Sequence, residues 1–575
     1  MIFKKKLLVL AIATATGLIA CSSDDGQDGI NGTNGTNGTN GTNGADGANG
    51  TDGQDLTAVP KLTRIATVPL GAEITGIFKT DDGDLFFNVQ HPDDSLPSPE
   101  NNAAVGAWLG LDFDNLDPRL ESISVPASSS SEAQTVQVAQ GSYQVLGRAG
   151  DTFSGQLPFG LANIVTADGL AEIKQSQDPD FNAFVPTNAD SSEGYLFTAF
   201  EDRPGAMSRL ALSKEDDGTW TVGEAMNVDF TAVKGTMINC FGTMSPWGTP
   251  LTSEENYESE NAQNWNNSAY ASGYPSYADV QNIQTYLGGT FPNPYDYGYI
   301  VEITDPSGTP TPVKHFTLGR VAHENVVIMP DQKTVYITDD GTNKGFYKFV
   351  ADTAGDLSAG TIYAAKLTQD GTKDVAKAGF DISWIALGSS NNTDIESWVD
   401  EYDDIDETDY VEGETNYISD AEVATWAAGG AADDRVAFLE TLRAAEAKGA
   451  TVEFRKMEGI NINYDAVANG TSPYMYVAMS QVASGMSDTE GDIQLDENRC
   501  GAIYRFGIQA DYDVIRMDPV LVGGEYDGSA ENRCPVDQIA SPDNLIVLND
   551  GRVLIGEDTS YHVNNAMWVY NPEGE

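Results

Sequence analysis

Asp81-Asp82-Gly83-Asp84-Leu85-Phe86-Phe87-Asn88-Val89 decides the reading of the fold. A turn rich in Asp and Gly runs straight into a short apolar strand with a polar residue near its end. The unit recurs. Pro330-Asp331-Gln332-Lys333 leads into Thr334-Val335-Tyr336-Ile337-Thr338, and Asn549-Asp550-Gly551 leads into Arg552-Val553-Leu554-Ile555. Gly194-Tyr195-Leu196-Phe197-Thr198 and Met475-Tyr476-Val477-Ala478-Met479 are strands of the same kind. Hairpin-dense sequence without alternating helices predicts an all-β propeller or sandwich, and the repeated cassette favours a propeller. The repeats are too diverged for blades to be counted directly.

One segment breaks the pattern. Residues 394–449 are rich in Ala, Glu, Asp and Trp and predict a helical insertion. Ser419-Asp420-Ala421-Glu422 has the form of a helix start, and residues 435–443 have helical spacing with charge on one side. The acidic run 396–414 is expected to be a solvated loop without the spacing of an EF-hand.

The chain has 575 residues with a net charge of −56, from 87 acidic and 31 basic side chains. That balance repels nucleic acid and anionic membranes and favours cations, calcium above all. Residues 1–20 are a targeting segment: Lys4, Lys5 and Lys6 precede an apolar run too short to span a bilayer. Leu18-Ile19-Ala20-Cys21 resembles a bacterial lipobox, which implies cleavage before Cys21, its lipidation and an extracytoplasmic protein, with Ser22 and Ser23 compatible with the outer membrane. Within residues 21–56 glycine recurs at every third position without proline, which predicts a flexible tether rather than a collagen-like triple helix. Residues 57–575 are read as the propeller domain, expected to be monomeric.

Of four cysteines, Cys21 is assigned to lipid. Cys500 and Cys534 each follow Glu-Asn-Arg and are natural disulfide partners in an oxidising compartment, although sequence alone does not fix connectivity. Cys240 is left over. It lies ahead of the adjacent Glu254 and Glu255, with Pro246, Trp247 and Gly248 able to turn the chain between them. A thiolate and carboxylates gathered in one place would hold metal. His323-Glu324 would point to opposite faces on a strand. Asp339-Asp340, Arg455-Lys456-Met457-Glu458, Ser541-Pro542-Asp543-Asn544, Gly556-Glu557-Asp558 and Gln90-His91-Pro92 complete the candidate segments.

These segments together resemble the PhoX family of secreted, calcium-dependent alkaline phosphatases, in pieces over residues 70–570 and most specifically over 239–255 and 319–350. The resemblance implies a six-bladed propeller and a centre of ferric iron (Fe3+) and calcium (Ca2+) ions acting on phosphate monoesters. It places Cys240 and Glu255 on iron-ligand positions with Glu254 beside them. It makes Glu324, Glu458 and Asp543 metal ligands. An arginine of the family that contacts phosphate has no direct counterpart here; Arg455 after a one-residue shift, or Lys456, takes its place, and lysine lacks arginine's bidentate fork. Gln90-His91-Pro92 lies near the start, whereas its like is expected near the family's end, which implies a rotated order of blades. A calcium-dependent hydrolase of phosphodiesters or lactones, and a non-catalytic surface-binding propeller, are the alternative readings.

Overall fold

The turn-then-strand cassettes are all the same part of one repeated unit. In the computed structural model, which describes residues 61–255, 261–270 and 276–574, each of the five quoted strands is the second strand of an antiparallel four-stranded meander. The leader, Cys21 and the glycine-rich stretch lie outside the described residues. The Asp turns sit where the innermost strand hands over to the second. Each is closed by a backbone bond across it: Thr80 N–H to Asp84 O (2.9 Å), Met329 N–H to Thr334 O (2.8 Å, one residue longer) and Leu548 N–H to Arg552 O (2.8 Å). Gly83 and Gly551 supply the left-handed backbone of two of these turns, at φ of 85° and 86°.

Among the described residues six such meanders follow one another. Their innermost strands are Glu73–Lys79, Pro179–Pro186, Asn239–Met244, His323–Ile328, Met457–Ile462 and Pro542–Val547. Each innermost strand packs beside the next, and Pro542–Val547 returns to Glu73–Lys79, so the strands stand in a closed ring. Apolar side chains fill the spaces between neighbouring sheets. Phe86, Phe184 and Trp220 lie between the first and second meanders, and Phe181, Phe241 and Val301 between the second and third. Leu545, Ile555 and Trp568 meet Tyr476 and Ile503 between the fifth and sixth. Ile74 and Phe87 meet Leu554 and Met567 across the closure. The closure is made by the chain's first described strand. Leu62–Thr67 pairs antiparallel with Ala566–Tyr570 and completes the sixth meander. All-β, propeller-like architecture is therefore what this sequence builds.

The helical insertion is present and arises at the outer edge of the fourth meander. Asp356–Gln369 and Phe380–Asn391 form a long hairpin, and the second of these strands also pairs with the edge of the fifth meander. Helices Asn392–Val399, Asp420–Ala427, Arg435–Leu439 and Thr441–Ala447 follow. Ser419 caps the second of them in a capping box with Glu422. The single helix expected over 435–443 is broken at Glu440 (φ −134°), whose buried carboxylate accepts from Tyr295 Oη at 2.7 Å and meets Arg443 at 3.2 Å. The run 396–414 is partly helical rather than a plain loop. A further helix, Tyr277–Tyr286, is not legible in the sequence as a periodic segment and lies between the second and third strands of the third meander.

Candidate active site

One structural rule places the site. In meanders two to six, the first residue of the innermost strand pairs with the last residue of the second: Pro179 with Phe200, Asn239 with Glu254, His323 with Asp339, Met457 with Met479, Pro542 with Glu557. The register then slips in all five, as a bulge does, and a bulge re-aims the side chain beside it. The residues at that position are Asp180, Cys240, Glu324, Glu458 and Asp543. One residue past the second strand stand Glu201, Glu255, Asp340, Ser480 and Asp558. The two series meet at one end of the ring.

There the donor atoms crowd together. Within each of three overlapping sets they lie within 4.8 Å of one another: Asp180, Glu201 and Cys240; Cys240, Glu255 and Glu324; Glu324, Glu458 and Asp543. Cys240 Sγ lies 3.1 Å from Asp180 Oδ2 and 3.0 Å from Glu324 Oε2, so its one proton can be donated to either carboxylate. Lys456, held at φ 53°, reaches Glu458 Oε1 at 2.9 Å and Asp340 Oδ2 at 3.3 Å. Ser480 Oγ donates to the same Glu458 oxygen at 2.8 Å.

Burial and mutual repulsion dominate the electrostatics. Burial pushes Asp180 up to about 7 and Glu201 up to about 8, with neighbouring carboxylates adding to both. Glu458 rises to about 7 through burial and Asp340, against the opposing pull of Lys456. Glu324 and Asp543 are driven well above the carboxylate range by burial and by neighbouring carboxylates, Glu458 among them, and the Cys240 thiol rises by burial and by Asp180. Asp340 goes the other way: burial would raise it, but the Lys456 ammonium together with hydrogen bonds from Glu255 and the Gly341 amide outweighs that and holds it low.

The first meander breaks the rule in a useful way. Its inner pairing runs further, through Glu73–Gln90, Ile74–Val89 and Thr75–Asn88, before the register slips. Gly76 therefore occupies the place of the ligating residues, and its backbone approaches the second meander so closely that a Cβ would sit 2.2 Å from Asp180 O. Glu73 and Gln90 stand beyond that level: Glu73 Oε1 lies 2.7 Å from His91 Nε2, and Gln90 Nε2 donates to Glu201 Oε2 at 3.2 Å.

The sequence expectations divide accordingly. Cys240, Glu255, Glu324, Glu458 and Asp543 come together. Lys456 joins them; Arg455 does not, since its guanidinium bonds Thr342 on a neighbouring short strand. Glu254 is a correction. Its carboxylate accepts from Gly298 N (2.9 Å), Tyr299 N (3.1 Å) and Met237 N (3.2 Å) and pairs with Lys314 at 3.0 Å. Successive residues leaving a strand face opposite ways, so Glu255 turns inward and Glu254 away. His323 likewise turns from the site; burial lowers it to about 4, and Nε2 binds Gly319 O at 2.8 Å. Cys500 and Cys534 are joined. Asp180 and Glu201 are site residues that the sequence reading misses, while Asp340 and Asp558 lie in its candidate segments without an assigned role.

The donor set fits a mixed metal centre. Buried oxygens Asp180 Oδ1, Glu324 Oε1, Asp340 Oδ1 and Asp543 Oδ1 have no hydrogen-bond partner, although buried carboxylate oxygens ordinarily find one. Carboxylates suit calcium, and a thiolate among them suits a transition metal such as iron. None of the three sets contains a histidine.

The family model described as alkaline phosphatase PhoX matches residues 198–575, a narrower span than the 70–570 read from the segments. Among solved structures the chain is similar to Pseudomonas fluorescens PhoX in complex with vanadate, a transition state analogue. The two share 19% identity and a TM-score of 0.50, over 74% of this chain and 83% of that one. It is also similar to a putative oxidoreductase (glucose dehydrogenase) from Thermus thermophilus, at 10% identity and a TM-score of 0.32, over 89% and 99% of the two chains. No curated protein matches. With the family model covering more than half of its length, this chain belongs to the PhoX family of alkaline phosphatases and is a phosphatase.

Proposed function

We propose that the chain hydrolyses phosphate monoesters outside the cytoplasm, at a centre of iron and calcium ions held by Cys240, Asp180, Glu201, Glu255, Glu324, Glu458 and Asp543. The observation that carries this is the crowding of buried carboxylates and one thiol with orphaned oxygens, an arrangement that only cations or protons relieve. Bound there, the ions would supply the positive charge that phosphoryl oxygens require and acidify the attacking water.

The chain's own residues have three tasks in this reading. Asp340 and Glu458 hold the Lys456 ammonium at the cluster, where its charge is available to an anionic phosphoryl group. Ser480 fixes the Glu458 carboxylate. The bulges turn the ligating side chains toward one another from different strands, which keeps the site preorganised. Export is supported by the 1–20 leader and lipobox Cys21, with anchoring in the outer membrane, and by the Cys500–Cys534 bond, which suits an oxidising compartment. The domain is taken as a monomer that binds no nucleic acid and meets the membrane only through its lipid.

The test is p-nitrophenol release from p-nitrophenyl phosphate at alkaline pH by protein lacking residues 1–56, with calcium and with a calcium chelator, alongside metal analysis. Calcium-dependent turnover is expected, with Cys240→Ala inactive and depleted of iron. A fully active Cys240→Ala protein that keeps its iron would overturn the assigned centre. Folded protein that holds both metals yet turns over no monoester would overturn the reaction.

A further inference from the structure

The loops around the disulfide form a surface that the reading above leaves unused. Three connections rise from the site end of the ring: residues 480–501 after the second strand of the fifth meander, 523–541 leading to the sixth, and 558–565 within the sixth. Cys500 and Cys534 tie the first two together. Each cysteine is preceded by an arginine. Arg499 lies over the Tyr526 ring, 5.3 Å from its centroid, and Arg533 over the Tyr561 ring at 5.9 Å. The two tyrosines meet edge to face, with centroids 4.9 Å apart and planes at 65°. Both rings are half-buried against the disulfide, while both arginines are exposed.

This platform adjoins the phosphatase site. Ser480 binds Glu458, and the next residue, Gln481, reaches Tyr561 Oη at 3.5 Å. On the other side Thr559, next to Asp558, receives Ser541 Oγ at 3.1 Å, two residues before Asp543. Two adjacent residues, Ser480 and Gln481, thus link the Glu458 carboxylate to the Tyr561 hydroxyl. In a chain with a net charge of −56, two guanidinium groups set over aromatic rings at this mouth, Arg499 being also paired with Glu497 at 3.0 Å, make a place where a planar, electron-rich group can stack.

We propose that Tyr526, Tyr561, Arg499 and Arg533 form an outer subsite that binds the leaving-group half of phosphate monoesters whose alcohol bears a planar aromatic ring, nucleoside monophosphates being the natural class. The subsite rests on the phosphatase reading and selects among its substrates. It touches neither the ligands nor the phosphoryl group. Its contribution therefore belongs to substrate binding and to kcat/KM rather than to the chemical step.

The experiment compares kcat/KM for adenosine 5′-monophosphate, glycerol phosphate and an aliphatic bisphosphate in metal-loaded wild type, Tyr561→Ala, Tyr561→Phe and the Arg499→Ala/Arg533→Ala double variant. Stacking of one base on an aromatic side chain predicts about a tenfold loss of kcat/KM for the nucleotide in Tyr561→Ala, mainly through KM. Glycerol phosphate turnover stays unchanged, and Tyr561→Phe restores nucleotide turnover. Equal losses on nucleotide and glycerol phosphate, or none on either, overturn the subsite. A loss confined to the bisphosphate in the arginine variant also overturns it, in favour of an anion site. Absence of turnover on every monoester in wild type is a different result, and it overturns the phosphatase reading instead.

Discussion

Two sets of acids, one peptide bond apart, meet opposite fates. Glu254, Asp339 and Glu557 end the second strands of the third, fourth and sixth meanders; Glu255, Asp340 and Asp558 follow them. The first set is bound by the fold. Glu254 has three backbone N–H groups and Lys314. Asp339 accepts from Ala322 N and Gly345 N, both at 3.1 Å. Glu557 accepts from Ala540 N and Ala566 N at 2.9 Å and Trp568 Nε1 at 2.7 Å, and pairs with His562. The second set faces other carboxylates, where Lys456 is the ammonium bound to Asp340. Burial alone therefore does not mark a functional acid. What marks it is burial among like charges, with an oxygen such as Asp340 Oδ1 left over.

That contrast can be broken at its stronger half first. Glu254→Gln should cost about 3–5 kcal/mol of stability, because it leaves the buried Lys314 ammonium uncompensated. Denaturant unfolding measures the cost, and the specific activity of the molecules that remain folded should be retained. Glu255→Gln should do the reverse: at least ~100-fold lower kcat with an unchanged denaturation midpoint for the metal-free protein. If both variants lose activity alike, the division between the two acids is wrong.

The pH dependence sharpens the same point. Asp180, Glu201 and Glu458 hold protons in the metal-free fold up to about 7, about 8 and about 7. Carboxyls raised above their unfolded values of about 4 contribute stability that is full below that pH and is lost as pH rises through the folded values. Metal-free protein should therefore lose thermal stability between about pH 4 and 8. Metal-loaded protein should not, because cations replace the protons, so the gap between the two melting curves widens toward alkaline pH. The smallest effect is expected at Arg455. Its guanidinium is turned to Thr342, so Arg455→Ala should change kcat/KM by less than about threefold, whereas Lys456→Met should lower it by about tenfold or more.

Much of this is legible in the sequence. The Asp-turn cassettes identify second strands because the turn residues and the apolar run are local signals. Cys240, Glu255, Glu324, Glu458 and Asp543 stand out through segments that resemble a known family. Glu254 is misplaced when adjacency in sequence is taken for adjacency in space, although the alternation applied to His323-Glu324 covers it equally. Asp180 and Glu201 escape notice because no motif surrounds them. A rule of position finds Glu201, which directly follows a second strand just as Glu255 and Asp340 do. The bulges that aim the inner residues leave no local mark, since they exist only in the pairing of two strands.

The strand that closes the ring also sets a direction. Leu62 pairs with Tyr570 and Thr67 with Ala566, so the chain climbs along this strand toward the site and its start lies at the far end of the meander. The amide of Asn571 meets the carbonyl of Lys61 there at 2.8 Å. A bead or electrode coupled chemically at either of these two residues would therefore display the enzyme mouth-outward, with its entrance free to the surrounding liquid.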